Sequence, residues 1–407
     1  MTSPRTTARL ATPATLALPL VLAGTALGQA GGIYLPENGG PSNATAQAGS
    51  GAVARDAETA HLNPAGMTRL QSTELMFALM PFNLDVSFNQ DAATTASGGD
   101  GGNQGGWFPA AALYLAMPLN ETFALGFSMT SPGGMVLDPD DTWAGRTWMT
   151  EISFVALNFE PSVGVRLSDQ WSIGAGIDIQ YATFEQDLVG PLLGVPLKID
   201  GDDWNVGFSA SVLWEPMETT RFGVRYRSEI AHDLSGDLTV AGSRSTSTSF
   251  TLPASLTLSA YHDFTDRFAL LADVGWTDWS AFDRNVISFD GSGQSVDLAR
   301  EFKDTWNVSL GAHVRTGENW LVMFGAGYVS SSVDDANRTP DLPVDEQLRL
   351  SAGFEYDLND RWKIGANYTF AWLGENKIDQ TRPITGRLVG DYDAAVHIIG
   401  LHASLKF

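Results

Sequence analysis

The chain has 407 residues and is strongly acidic, with 47 Asp and Glu side chains, 24 Lys and Arg side chains and a formal net charge of −23. Such a charge repels a phosphate backbone, which argues against nucleic acid as a partner. Cysteine is absent, which excludes a disulfide framework, a thiolate zinc site and a cysteine nucleophile. Past residue 30 no run of about 18 apolar residues occurs, which excludes a helical membrane protein.

Residues 1–30 have the pattern of a secretory signal peptide. Arg5 and Arg9 precede an uncharged stretch rich in Ala and Leu, and Gly28 and Ala30 supply the small residues that a cleavage site needs. The alternative is an uncleaved anchor helix, but prolines interrupt the short apolar stretch. We therefore expect cleavage after Ala30 and export to the cell envelope.

Residues 31–72 are rich in Gly, Ala and Asn and show no alternation of apolar and polar side chains. They precede the first predicted strand, which begins near Thr73. Both ends of an even-stranded barrel lie on the same side of the membrane. We therefore predict that this segment folds back into the lumen as a hatch, because a barrel of this size otherwise encloses an open channel.

From residue 73 to residue 407 the chain consists of predicted strands with a period of two. Segment 171–181 places Trp, Ile, Ala and Tyr on one face and Ser, Gly, Asp and Gln on the other. The same pattern recurs in segments 204–214, 268–276, 306–314, 320–328 and 362–372. Each has about ten residues, the length that a tilted strand needs to cross a bilayer. Aromatic residues at both ends of the apolar face indicate girdles at two lipid interfaces.

Short and long connections alternate along this part of the chain. The short ones lie at 119–122, 168–170, 216–220, 265–267, 316–319 and 358–361, and the long ones at 89–106, 132–150, 184–200, 232–250, 280–300, 333–344 and 374–390. Together they predict an all-β membrane protein, a 14-stranded antiparallel outer-membrane β-barrel with short periplasmic turns and long extracellular loops. The final Phe407 lies on the outward face of the last strand, an ending suited to recognition by the barrel assembly machinery.

An ordered series of motifs covers most of this chain. It comprises Arg55-Asp56-Ala57-Glu58-Thr59, Asn63-Pro64-Ala65-Gly66-Met67, Trp143-Ala144-Gly145-Arg146, Leu157-Asn158-Phe159-Glu160-Pro161-Ser162, Thr277-Asp278-Trp279-Ser280 and Phe302-Lys303-Asp304-Thr305-Trp306. The series resembles the FadL/TodX family of outer-membrane transporters of hydrophobic compounds. The resemblance implies passive transport of long-chain fatty acids or aromatic hydrocarbons by a monomer surrounded by outer-membrane lipid, with no enzymatic activity and no bound cofactor.

The resemblance also implies roles for parts of the hatch and the third strand. Asn63, Pro64 and Ala65 contribute to gating, and the mature N terminus from Gly31 onward moves to release ligand. In the family, an inward kink of the third strand opens a gap through which substrate leaves sideways into the membrane. We expect this kink at Pro132-Gly133-Gly134, because proline cannot donate to a ladder and glycine permits a bend. An ordinary strand end, or a kink nearer Gly126, is the alternative.

The predicted loop 184–200 is unusually apolar for an extracellular loop. Its apolar residues are Leu188, Val189, Leu192, Leu193, Val195 and Leu197. Because exposed apolar patches mark binding sites, we expect this loop to capture ligand. A lid packed on its neighbours is an equal and compatible alternative. The adjacent Lys198 is a candidate contact for a carboxylate, although a solvated surface lysine is the commoner case.

Charged side chains of both signs face the predicted lumen. They are Glu160, Arg166, Asp178, Arg225, Arg227, Asp273, His313, Arg315, Arg349, Glu355 and Lys363. Since buried charges must be paired, the mixture predicts a salt-bridged network that holds the hatch. Arg225 and Arg227 are the predicted partners of the hatch acids Asp56 and Glu58, or of a carboxylate ligand.

Two other classes of protein compete with this hypothesis. An outer-membrane hydrolase needs a nucleophile and a base on one face, but in His232-Asp233 and His262-Asp263 the neighbours point to opposite faces. A general porin usually has sixteen or more strands and lacks an N-terminal plug. A metal site is not indicated. The prediction is therefore outer-membrane transport of long-chain fatty acids, with aromatic or aliphatic hydrocarbons as the alternative within the family.

Overall fold

The computed structural model describes residues 36–191, 194–240, 242–289 and 294–407. The predicted signal peptide, Gly31, and Leu192 and Leu193 of the predicted capture loop lie outside the described residues. The helices are α1 (Thr59–Leu62) and three 3₁₀ turns, Pro41–Thr45, Pro64–Arg69 and Trp279–Ala281. Within the described ranges, no helix has the length and apolar character to cross a membrane.

The described residues form twenty-one β-strands. In chain order they are β1 (Glu74–Leu79), β2 (Phe82–Gln90), β3 (Gly106–Phe108), β4 (Ala111–Pro118), β5 (Phe123–Leu137), β6 (Glu151–Arg166), β7 (Trp171–Val189), β8 (Pro196–Met217), β9 (Thr220–Arg227), β10 (Ile230–Thr239), β11 (Ser243–Leu252), β12 (Ser255–Thr265), β13 (Phe268–Thr277), β14 (Arg284–Phe289), β15 (Gln294–Ala299), β16 (Thr305–Thr316), β17 (Trp320–Val329), β18 (Gln347–Asp357), β19 (Trp362–Trp372), β20 (Lys377–Arg382) and β21 (Gly386–Lys406).

These strands form one antiparallel sheet that closes on itself. Seven pairs of them run end to end as single barrel strands, namely β1 and β2, β3 and β4, β9 and β10, β11 and β12, β13 and β14, β15 and β16, and β19 and β20. Counted in this way the barrel has fourteen strands, each antiparallel to its neighbours. The last strand, β21, pairs with both β1 and β2, which closes the barrel. The predicted fourteen-stranded barrel is confirmed.

The outward face of the barrel is apolar. Ile173, Ile177 and Ile179 of β7 are all exposed, whereas Ser172 and Asp178 on the opposite face of the strand are buried. Two aromatic girdles bound this surface. The girdle at the short-turn end contains Phe123, Trp171, Trp214, Phe222, Phe268, Trp320 and Trp362, and the girdle at the long-loop end contains Phe159, Tyr181, Trp204, Trp276, Trp306 and Tyr328. The belt between them is suited to lipid chains.

Several of the predicted long loops are in fact β-hairpins. Strands β7 and β8 extend so far that only residues 190–195 connect them, and residues 240–242 connect β10 to β11. The predicted bounds 184–200, 232–250 and 374–390 are therefore wrong as loops. Beyond the lipid belt both faces of a strand meet polar surroundings. The apolar–polar alternation therefore no longer marks the strand.

The largest apolar cluster closes the long-loop end of the barrel, and we call it the cap. Its large members are Phe82, Phe88, Trp143, Trp148, Phe154, Phe250, Trp279, Phe282, Phe302, Leu342 and Tyr392. Beneath it lies the hatch, which consists of residues 36–72 in the described chain. The hatch turn Pro41–Thr45 contacts β18 and β19, and the turn Pro64–Arg69 contacts β6 and β7.

Candidate functional site

Asn63 anchors the hatch to the barrel wall. This side chain is fully buried, and its Oδ1 accepts a hydrogen bond from the Ala65 N–H at 3.1 Å. Its Nδ2 donates to the carbonyl of Gly51 at 2.6 Å and to that of Val212 on β8 at 3.1 Å. Pro64 then begins a 3₁₀ turn, where its fixed φ suits the first helical position. The predicted gating triplet thus forms the contact between hatch and wall.

Inward-facing glycines allow the hatch backbone to touch the strands. A Cβ built on Gly164 of β6 would lie 2.5 Å from the carbonyl oxygen of Pro64, and one on Gly174 of β7 would lie 2.7 Å from the carbonyl carbon of Pro64. A Cβ on Gly223 of β9 would collide with the backbone of Gly51. Sequence reasoning missed these three residues. The available signal was glycine on the lumen face of a strand, which often marks a close backbone approach.

Glu160 is the centre of a buried charge network above the hatch. Its carboxylate accepts from Arg225 at 2.9 Å, from Arg227 at 3.2 Å and from the Ser209 hydroxyl at 2.7 Å. Nδ1 of the hatch residue His61 lies 3.3 Å away. Burial lowers the pKa of His61 to about 4, although its hydrogen bond with Glu160 acts in the opposite direction. This histidine is therefore neutral at pH 7.

The predicted pairing of Arg225 and Arg227 with hatch acids is wrong. Besides Glu160, Arg227 contacts Asp178 of β7, so both arginines pair with acids of neighbouring strands. The alternation of side chains shows which residues face the lumen. The partners also depend on strand register and tilt, which the alternation does not fix. The register brings Arg227 opposite Ser209 of β8, next to Glu160.

The hatch acids have partners of their own. Glu58 accepts from the Ser42 N–H at 3.0 Å and from the Ser42 hydroxyl at 2.6 Å. Burial, followed by the negative charge of Asp56, raises the pKa of Glu58 to about 8. Asp56 accepts from the Glu58 N–H at 3.1 Å, and the adjacent Arg55 pairs with Glu355 of β18. These bonds tie the hatch both to itself and to the wall.

Further polar contacts hold the hatch around the barrel. Glu37 pairs with Arg349 of β18 at 2.8 Å. Asp273 of β13 accepts from the Gly49 N–H at 2.8 Å and from the Ser50 hydroxyl at 2.5 Å. Because these bonds lie on several sides of the lumen, the hatch is held in place around the barrel and not by one point of attachment.

A cavity of about 240 Å³ lies between the hatch and the cap. Leu62 and His61 of the hatch line its floor, Trp279 of the cap lines its roof, and Arg227 and Tyr328 belong to its sides. It is smaller than the pockets of about 300–1,000 Å³ that hold drug-sized ligands. Its size and mixed lining therefore suit a slender chain or a small ring.

The barrel wall is irregular at β5, next to this cavity. The register with β6 shifts between Thr130 and Gly133, so two β5 residues lie opposite one β6 residue. One of the two is Pro132, which also lines the cavity. The pairing of β5 with β4 ends at Met129. Past this point β5 pairs with β6 alone in the described ladders, and Gly133 and Gly134 have rejoined that ladder.

The predicted capture residues lie on the β7–β8 hairpin. Leu188 and Val189 end β7, Leu197 belongs to β8, and all three are partly buried. The Val189 N–H donates to the carbonyl of Arg146 at 2.8 Å, which holds the hairpin against the loop that follows β5. Lys198 pairs with Glu185 on the same hairpin. The described apolar residues thus form a partly covered surface.

Buried ion pairs join the long loops above the cap. Arg300 forms two hydrogen bonds with Asp341, at 3.2 and 3.0 Å, and both side chains are buried. Burial alone would raise the pKa of Asp341, but the Arg300 guanidinium holds this pKa below its usual value. The guanidinium of Arg382 lies 4.7 Å from the ring centre of Trp148. These contacts hold the long loops over the cap.

Known proteins resemble this chain both in sequence and in fold. The "Long-chain fatty acid transport protein" of Escherichia coli O6:H1 is 27% identical to it, over 88% of this chain and 91% of the relative. "Outer membrane protein P1" of Haemophilus influenzae is 24% identical over 89% of this chain and 92% of the relative.

Solved structures with lower identity have the same fold. A Pseudomonas aeruginosa FadL homologue superimposes with a TM-score of 0.86 at 21% identity, covering 92% of this chain and all of the other. The toluene transporter TodX of Pseudomonas putida gives 0.69 at 14% identity, covering 90% of this chain and 98% of the other.

Residues 21–407 match the family described as "Outer membrane protein transport protein (OMPP1/FadL/TodX)". The resemblance seen in the sequence motifs is confirmed by this match. Because it spans nearly the whole chain, the protein belongs to the OMPP1/FadL/TodX family of outer-membrane transport proteins.

Proposed function

We propose that this protein transports long-chain fatty acids passively through the outer membrane. The observation that carries the proposal is the cavity of about 240 Å³ that lies between hatch and cap, beside the irregular β5 wall. Relatives named as long-chain fatty acid transport proteins support this choice of substrate. The family consists of transport proteins, which favours transport over catalysis.

The proposed route has three steps. Ligand first meets the apolar face of the β7–β8 hairpin, where Leu188, Val189 and Leu197 lie. It then enters the cavity when the cap loosens. It leaves sideways past Pro132, where β5 has lost its pairing with β4. Movement of the hatch segment that contains Asn63, Pro64 and Ala65 controls this last step, together with the N terminus from Gly31 onward.

Transport of an uncharged hydrocarbon is a second candidate function, favoured by one observation. Arg225 and Arg227, which line the cavity, are already paired with Glu160 and Asp178. A fatty acid carboxylate must compete with these acids for them. Toluene and alkanes need no such partner.

We further propose that the chain works as a monomer in outer-membrane lipid. Signal peptidase removes residues 1–30, and the barrel assembly machinery recognises the last strand through Phe407. The two aromatic girdles support insertion into a bilayer.

Binding of a fluorescent long-chain fatty acid to the purified protein in mild detergent tests the proposed function. Saturable binding displaced by oleate supports fatty acid transport. Displacement by toluene or dodecane but not by oleate supports the hydrocarbon candidate. Absence of saturable binding, together with a large steady conductance in a planar bilayer, would contradict both candidates and indicate a porin.

A further inference from the structure

A second break in the barrel wall lies between β8 and the strand formed by β9 and β10. The β8–β9 ladder runs from Met217 to Ser209, and the β8–β10 ladder resumes at Asp202. Residues 203–208 of β8 therefore form no register pair on this side, although they pair with β7 on the other. The break is four barrel strands away from the one at β5.

One backbone bond remains at this break, from the Ser228 N–H to the carbonyl of Phe208 at 2.9 Å, and side chains supply the others. The Phe208 N–H donates to the Ser228 hydroxyl at 3.0 Å, and the Val206 N–H donates to the side chain of its own neighbour, Asn205, at 2.8 Å. The Asn205 amide donates to the carbonyl of Ala231 at 2.5 Å. Separating the two strands here breaks one backbone bond and a few side-chain bonds, including those of Asp203 with His232 and with the Asp233 N–H, instead of a continuous ladder.

The next strand is interrupted at the same level. Ser228 and Glu229 separate β9 from β10, and Pro253 and Ala254 separate β11 from β12 directly opposite. Proline has no N–H to donate to a ladder. The interruption therefore crosses adjacent strands, level with the aromatic girdle at the long-loop end. We call this interruption the crease.

A concave space lies on each side of the crease, one facing the lipid and one facing the lumen. On the lipid side is a groove of about 650 Å³ lined by Val206, Phe208, Tyr226, Trp276, Glu229 and Asp278. On the lumen side is the cavity between hatch and cap, and Ser228 lines both spaces. Ile230 lines the cavity and is buried, and a Cβ built on Gly207 of the groove would lie 2.8 Å from Cγ1 of Ile230.

We propose that this crease is a second lateral port, through which uncharged apolar molecules pass between the cavity and the lipid, and that Ile230 is its gate. Gly207 leaves the opening free of a side chain. Glu229 and Asp278 line the groove, and its described lining includes no cation, so an anionic carboxylate is repelled there. Alkanes and aromatic hydrocarbons therefore leave through this port as well as at β5, whereas fatty acids leave only at β5. This inference rests on the proposed transport function.

A disulfide across the crease tests the port. The natural chain has no cysteine, so Gly207→Cys/Ile230→Cys introduces one defined pair. Uptake of radiolabelled dodecane and oleate is measured in cells carrying the variant, with the pair oxidised or reduced. Ala175→Cys/Ala210→Cys joins two residues that already pair between β7 and β8, and it serves as the matched control. Heat-modifiability on gels verifies folding of each variant.

Oxidation is expected to lower dodecane uptake about twofold, since two exits in parallel share the flux, and to spare oleate uptake and the control. Unchanged dodecane uptake with a fully formed disulfide would overturn the port while leaving the proposed function intact. Failure of the natural protein to take up any of dodecane, toluene or oleate would instead refute the proposed function.

Substitution of the gate gives an independent measurement. Ile230→Ala is expected to raise dodecane uptake and Ile230→Trp to lower it, each by about twofold, because the side chain fills the opening. Equal dodecane uptake by these two variants, both correctly folded, would also overturn the port.

Discussion

Asn63 joins three parts of the molecule through one amide group. Its bonds reach Gly51 and Ala65 within the hatch and Val212 on β8. Each buried polar group left without its partner costs about 1–3 kcal/mol. The bonds to Gly51 and Ala65 join two segments of the hatch to each other, and the bond to Val212 is the one of the three that joins them to the wall.

Glu58 makes the seating of the hatch dependent on pH. Because its pKa is raised to about 8 in the folded protein and is 4.5 ordinarily, the unfolded segment loses its proton first. The resulting stabilisation is complete below pH 4.5 and is lost as the pH rises through 8. We expect the protection factors of residues 42–58, which are the intrinsic exchange rates divided by the measured ones, to fall between pH 4.5 and 8, as measured by hydrogen-exchange mass spectrometry.

Glu58→Gln keeps an acceptor for Ser42 and removes the titration, so the fall in protection between pH 4.5 and 8 should disappear in this variant. Glu121→Gln, at an exposed turn, is the matched control and should retain it. Identical pH profiles for the natural protein and Glu58→Gln would show that another group controls the hatch.

At the scale of elements, the extra residue in β5 keeps the strand out of register with β6. Deleting Pro132 leaves Ser131 to take the position opposite Leu157, so the two strands can pair without interruption. A bulge bends its strand, so we expect its removal to let β5 stay beside β4 and close the exit. Fatty acid binding should then persist while uptake falls about tenfold, because release is blocked and capture is unaltered. Uptake of radiolabelled oleate by cells and binding to purified protein measure the two effects.

Pro132→Ala keeps the extra residue and is expected to lose much less uptake than the deletion. Equal uptake by the deletion variant and the natural protein would show that oleate does not leave at β5.

The elements differ in how far their sequence predicted them. The bilayer imposes a period of two on any strand that crosses it, so segments such as 171–181 were recognisable. The extension of β10 and β11 could not be recognised from the sequence, because a run such as Ser243–Leu252 carries Ser and Thr on both faces. The hatch contacts at Gly174 and Gly223 depend on a backbone approach between segments distant in sequence. No local pattern specified which parts would meet.

At the scale of the whole molecule, the described long loops form a cover over the cap, in which Arg300 and Asp341 form a buried ion pair. Arg300→Met leaves Asp341 buried without its partner, which costs about 3–5 kcal/mol. We expect proteinase K to cleave residues 330–346 faster in intact cells carrying this variant. Lys303→Met breaks an exposed pair with Asp334 and, as the control, should cost only about 0–1 kcal/mol.

Replacing both buried partners tests the cause of this effect. In Arg300→Met/Asp341→Leu no charge is left unpaired, so protection from proteinase K should recover in part. Cleavage at the natural rate in Arg300→Met alone would show that the cover does not depend on this pair.

The pairing of β21 with β1 has a consequence for biogenesis. Leu75 at the start of the barrel lies opposite Leu405 at its end, so the sheet cannot close until the whole chain has been synthesised and exported. Contacts so distant in sequence form slowly, because the entropy of closing a very long loop is lost before they contribute. Meanwhile the apolar side chains of the future lipid belt are exposed in an aqueous compartment. The unclosed chain is therefore prone to aggregate, and we expect its yield to depend on periplasmic chaperones that hold it unfolded.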